Sequence, residues 1–285
     1  MSGRYALRER LTLLQELRQI VKAMTNLAFA ELQRTIRILP ALAMARDTVL
    51  QALDEEVMNE SDVHAREPMR ERPKTWLVIG SERGFCGAFN ARIMTEAAAL
   101  HRADPAARLV VAGRRLVELL GDDAGKVVAL PGSAAIDEAA STLDAWLSAL
   151  GRDLLDGREL WVLHAGASGW VRERLLPRPE ARQAARAAAL RYLAPLVLRA
   201  ALERQALRLM LEAALYGSLQ QENHWRLAQM QRAKDHLDKL GRVLNRRHAL
   251  LRQSDITNEL ETLMTSMDGQ NAARAVRRRS HAVAG

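Results

Sequence analysis

Apolar residues recur every seven positions through the first part of the chain, at Leu7, Leu14, Val21 and Ala28, with Leu17 and Met24 on the adjoining seam. A seven-residue repeat keeps one stripe of an α-helix turned toward a partner helix, so residues 1–60 are predicted to form a coiled-coil helix. Pro40 lacks the N–H that an interior helical turn needs, which predicts a bend or interruption there. The polar stretch Ser61 to Pro73, with two prolines and no periodicity, reads as a linker.

The pattern then changes period. Four short apolar runs, Thr75 to Ile79, Leu109 to Ala112, Val127 to Leu130 and Leu160 to Leu163, have the length of buried strands. Amphipathic stretches separate the first two and the last two, so residues 74–201 are predicted to be a small Rossmann-like α/β domain with a mostly parallel sheet. No clear strand is visible between Leu163 and the next helix. From about Glu203 to Met267 there is no proline and the seven-residue repeat returns, at Tyr216, Met230, Leu237, Leu244 and Leu251, interrupted at Asn223 and with Leu240 on the neighbouring seam. A helix of that span is roughly 95 Å long at 1.5 Å per residue, more than the α/β domain can cover. The expected arrangement is therefore a pair of terminal helices, residues 1–60 and 202–270, joined as an antiparallel coiled coil beside an α/β domain. Gly269 offers a helix stop, leaving residues 271–285 as a basic tail. That tail reads as a loose end, with the alternative that Arg277, Arg278 and Arg279 meet acidic groups of a partner.

Charge narrows the functional classes. The net charge is +8, but four of the excess positive charges sit in the last fifteen residues, and residues 1–60 carry eight basic against eight acidic side chains. A nucleic-acid-binding face gathers basic residues on a folded element, so that class is disfavoured. Cys86 is the single cysteine, which rules out an internal disulfide and points to a reducing, cytoplasmic setting. The N-terminus has no apolar signal segment, and no run of eighteen uncharged apolar residues exists to cross a membrane.

Candidate chemistry is sparse. Gly80, Gly84 and Gly87 lie after the first strand, but no Lys-Ser/Thr follows them and their spacing matches neither a P-loop nor a dinucleotide fingerprint. A tight strand-to-helix turn explains them better. No motif brings a His or Asp to Cys86, so it reads as a small buried hydrophobe, and no cofactor or metal is expected. An α/β enzyme with helical extensions would need a cluster of acid, base or metal ligands at the strand ends, and none is legible.

Three segments carry a resemblance. Ile20 to Arg34 (IVKAMTNLAFAELQR), Ile79 to Asn90 (IGSERGFCGAFN) and Arg252 to Leu260 (RQSDITNEL) resemble, in order and near the same spacing, three stretches of F-type ATP synthase gamma subunits. Glu222, Arg226, Leu227, Met230 and Ala233 add a fainter match, whereas residues 100–201 match weakly. The chain departs from the family at Ala88, where a second glycine is usual, at His248-Ala249-Leu250, where Tyr-Asn-Arg is usual, and at Glu31-Leu32-Gln33, where Lys-Leu-Arg is usual. These departures mark it as a divergent bacterial member.

The resemblance implies a central-stalk rotor with no catalytic residue of its own. It would couple ion-driven turning of a c-ring to ATP synthesis in a ring of three alpha and three beta subunits. It implies alpha, beta and epsilon subunits and the c-ring as partners, one copy per complex, no nucleic acid, no direct membrane insertion, and a place on the cytoplasmic face of the bacterial inner membrane. Met24 would lie near the contact between shaft and stator. Arg252, Gln253 and Thr257 would hydrogen-bond a loop of a beta subunit, with Ile256 and Leu260 contributing apolar contact beside them. The spacing agrees, since Gln253 and Thr257 are four apart on one helix face, although a solvated face has the same pattern.

Overall fold

A computed structural model describes residues 2–60, 72–177 and 193–282; the side chains of residues 2–4, 57–60, 126, 266 and 268–282 lie outside the description. The predicted linker at 61–73 falls almost entirely outside it. The elements run α1 (Ser2–Glu60), β1 (Lys74–Ile79), α2 (Phe89–Ala103), β2 (Arg108–Ala112), α3 (Arg114–Leu120), β3 (Val128–Leu130), α4 (Ala139–Leu155), β4 (Glu159–Gly166), β5 (Gly169–Leu176) and α5 (Pro195–Ala282). The chain divides into two compact units, one of residues 24–230 and one of residues 1–23 with 231–285. Both α1 and α5 run from one unit into the other.

The larger unit is a five-stranded sheet of order β3-β2-β1-β4-β5. The first four strands are parallel and β5 returns antiparallel beside β4. Its parallel strands are apolar on both faces, as strands covered on both sides must be. Leu77, Ile79, Val110, Ala112, Leu160 and Val162 point to one face, where α4 supplies Leu143, Trp146 and Leu150, α1 supplies Leu42, and α5 supplies Leu207, Leu211, Leu215 and Leu219. Trp76, Val78, Val111 and Leu163 point to the other, against Ile93 and Ala97 of α2 and Leu116 of α3. Trp146 is fully buried and its indole N–H donates to the Pro131 carbonyl at 2.7 Å, which satisfies its one polar atom.

The mostly parallel α/β sheet flanked by two long helices agrees with the sequence reading, and four features differ from it. A fifth strand, β5, does exist before the last helix. Its sequence, GWVRERLL, carries three charges because it is an edge strand, and exposed edges favour charge over an apolar run. Pro40 does not interrupt α1, which is helical on both sides of it. An interior proline costs about 3 kcal/mol, and burial of Ile38, Leu39 and Leu42 around it against the sheet outweighs that loss. α5 begins at Pro195, a residue suited to a first helical turn, rather than near Glu203. It also continues through Gly269 to Ala282, since a glycine inside a helix costs only about 1 kcal/mol relative to alanine.

In the smaller unit α1 and α5 lie antiparallel. The Arg18 guanidinium donates to the Leu237 carbonyl at 3.3 Å and pairs with Asp238 at 2.8 Å. One turn earlier on α1, Leu14 faces Gly241, where an added Cβ would lie 3.5 Å from the leucine Cδ2. Leu7, Leu14 and Leu237 are buried in this seam. Extended by the same register, Ser2 falls opposite about residue 253, so the remainder of α5 continues past the start of α1.

Candidate functional site

Two regions hold the residues singled out by sequence. The first is the far part of α5. Arg252, Gln253, Ile256, Thr257 and Leu260 are all exposed. Ile256, Leu260, Leu263 and Met267, at positions i, i+4, i+7 and i+11, form one apolar stripe with exposures of 48 to 63%. Gln253 and Thr257 lie beside the stripe at adjacent turns, and the Thr257 hydroxyl donates to the Gln253 carbonyl at 3.1 Å, leaving its oxygen lone pairs free to accept. Met24 is half-buried on α1, next in helical spacing to the exposed Ile20 and Leu27.

The second region is the carboxyl end of the sheet, where an α/β fold would bind a nucleotide. Gly80 ends β1 so close to α3 that an added Cβ would meet the Leu116 Cβ at 2.4 Å, which explains the glycine by packing. Just beyond it, the Glu82 carboxylate accepts the backbone N–H groups of Arg114 at 2.9 Å and Gly132 at 3.0 Å. An acidic side chain therefore occupies the donors that a phosphate would use. The isolated chain is accordingly expected to show no micromolar ATP binding by calorimetry; binding abolished by Gly84→Val or Gly87→Val would contradict this. Among the described residues, no group of three or more His, Cys, Asp or Glu side chains could hold a metal ion.

At the point where strand order reverses, between β1 and β4, the crevice is filled by α5 itself. Glu222, Asn223 and Arg226 are all buried there. The Arg226 side chain pairs with Glu222, donates to Asn223 Oδ1 at 2.6 Å and to the Gly84 carbonyl at 3.2 Å, and touches Cys86 Sγ at 3.2 Å. Burial pushes the Glu222 carboxyl up to about 7 against the pull of Arg226, and burial, reinforced by Glu222, pushes the Cys86 thiol up to about 11. A thiol so held is inert as a nucleophile. The break in the heptad ladder at Asn223 thus belongs to this cluster. In the sequence Glu222 and Arg226 stand out only as a faint family match, and their i, i+4 spacing with opposite charge is the one available signal.

The raised Glu222 value has a consequence for stability. The folded state holds this proton more tightly than the unfolded chain does, so the contribution is fully present below the unfolded value of 4.5 and is lost as pH rises through about 7. Glu222→Gln is expected to flatten the part of the melting profile between pH 4.5 and about 7, as measured by thermal unfolding of the two chains side by side.

A family model described as ATP synthase matches residues 5–268. The chain belongs to this family, that of the F1 gamma subunit. The match takes in both helical segments and the sheet between them. A search of curated protein sequences finds no match. Among solved structures, the rotor of the Euglena gracilis mitochondrial ATP synthase in rotational state 1 is similar at a TM-score of 0.59 and 14% identity, covering 90% of this chain and 99% of that one. A chain of the OSCP/F1/c-ring assembly of the same enzyme in rotational state 3 is similar at 0.61 and 11% identity, covering 96% of each. The central stalk/c-ring of the Tetrahymena thermophila mitochondrial ATP synthase is similar at 0.56 and 19% identity, covering 75% of this chain and 99% of that one. At these identities the likeness is one of fold, and it extends over the long helices as well as the sheet. Among the described residues, no helix of this member of the family is long and apolar enough to cross a membrane.

Proposed function

We propose that the chain is the rotating central shaft of a bacterial ATP synthase, coupling the turning of an ion-driven c-ring to ATP synthesis in a ring of alpha and beta subunits. The observation that carries this reading is the far part of α5, where a helix extending past its partner presents an apolar stripe flanked by Arg252, Gln253 and Thr257. Four half-exposed large apolar side chains in one line are costly in water and favour enclosure by other chains.

Met24, Arg252, Gln253, Ile256, Thr257 and Leu260 are the residues assigned to contact with that ring. Their role is to bond differently with each beta subunit as the shaft turns, so that its angle favours a different state of each catalytic site. Only such differential interaction shifts a partner's equilibrium. No bond chemistry falls to this chain, which fits a strand-end crevice closed by α5 and an inert Cys86. The α/β unit is assigned to docking with the epsilon subunit and the c-ring, one copy of the chain per complex, on the cytoplasmic face of the inner membrane. Affinity purification of the tagged chain from its own cells tests this: alpha, beta and epsilon subunits and the c-ring should co-purify in a detergent extract, and their absence would dismiss the rotor reading.

A further inference from the structure

The buried cluster at Arg226 has a geometry that packing alone does not require. Along α5, contact with the sheet is first made by Leu207, Leu211, Leu215 and Leu219, which are buried and apolar. Such contact is non-directional, and a helix held by it alone can repack one turn along or turn about its axis. The next turns of the same helix are different. The Ser218 hydroxyl faces the Ile79 carbonyl at 3.4 Å, and Asn223 is tied by its own amide to the Leu219 carbonyl at 2.9 Å. From there Arg226 reaches the carbonyls of Gly84 at 3.2 Å and Arg83 at 3.5 Å, Cys86 Sγ, and Glu222. The Cys86 thiol in turn folds its loop inward by donating toward the Arg83 and Gly84 carbonyls at 3.4 Å. Gly87, at φ +58°, leaves room for Gln229 of α5, whose side-chain oxygen would lie 3.3 Å from an added Cβ. A slip of one helical turn, about 5.4 Å, carries the Glu222–Arg226 pair along intact, since both residues ride on α5, but breaks the contacts of Ser218 with Ile79 and of Arg226 with Gly84, Arg83 and Cys86, leaving the buried guanidinium without those acceptors.

We propose that the Glu222–Arg226 pair, with the Cys86 loop it holds, is a register clamp that fixes the axial and rotary position of α5 on the α/β unit, so that torque entering this unit passes into the shaft without slip. The inference rests on the rotor reading for its purpose but not for its geometry. Glu222 and Arg226 are positioning residues: they act through the helix they hold. Buried ion pairs contribute little net stability compared with apolar side chains of similar volume, and fixing register is their best-attested use. Replacing both partners therefore separates the two roles.

In the assembled complex, Glu222→Met with Arg226→Met is expected to leave the melting temperature of the chain and the ATP hydrolysis rate near those of the parent. Ion pumping per ATP in inverted vesicles should drop at least about threefold. In the full-length chain alone, hydrogen exchange of residues 82–90 should rise at least about tenfold, and the conservative Arg226→Lys should restore part of that protection relative to Arg226→Met. Unchanged pumping per ATP in a double variant that assembles would overturn the clamp. Unchanged exchange at residues 82–90 would overturn it whether or not the variant assembles. If the parent chain itself supports no pumping, the rotor reading fails, and the exchange experiment still decides whether the clamp exists.

Discussion

Met24→Lys is expected to uncouple ATP hydrolysis from ion pumping while the complex still assembles. Met24 is half-buried on α1, among apolar neighbours that remain exposed on the shaft. A methionine there conforms to whatever surface passes it, because its side chain is unbranched and polarizable. A lysine puts an ammonium into the same passage, where it must find a counter-ion or remain partly desolvated, and either outcome gives one rotor angle a contact that the others lack. A single such contact of about 1.4 kcal/mol changes the relevant equilibrium roughly tenfold, enough for hydrolysis to proceed without productive rotation. Inverted membrane vesicles measure both activities together. Unchanged pumping per ATP would remove Met24 from the interface.

Gln253→Leu combined with Thr257→Val is expected to lower turnover about tenfold without unfolding the chain. Each substitution removes a hydrogen bond worth roughly 0.5 to 1.5 kcal/mol, and more where a group on a facing beta subunit loses its partner in a dry contact. Both side chains are exposed on one helix face, so neither change opens a cavity. The Thr257 hydroxyl's bond to its own helix is a local one and its loss is minor. If the two side chains engage one loop, the double variant costs less than the product of the single ones. Steady-state ATPase assays of the assembled complex give the answer, with a normal rate in the double variant ruling out the role assigned to this pair.

The two long helices were readable because they carry a periodic code. Leu7, Leu14 and Leu237 lie buried in the seam that a seven-residue spacing predicts, since that spacing keeps one stripe of a helix on its partner whatever the rest of the protein does. The four parallel strands were readable for a similar reason, as strands covered on both faces must be apolar at nearly every position. β5 was not, because an edge strand with Arg172, Glu173 and Arg174 in it has the composition of a loop.

What the chain's sequence determined by itself was the set of elements and the stripe of side chains that each offers, because these depend on neighbours three, four or seven residues apart. The pairing of Glu82 with the N–H groups of Arg114 and Gly132, and of Arg226 with a loop some 140 residues earlier, was decided only by tertiary structure. Glu82 reads in sequence as one more surface acid, and Arg226 as one more base on a helix. Their meaning comes from burial, which makes an unpartnered charge so costly that the fold must bring it a specific partner, and no local spacing records which partner that is.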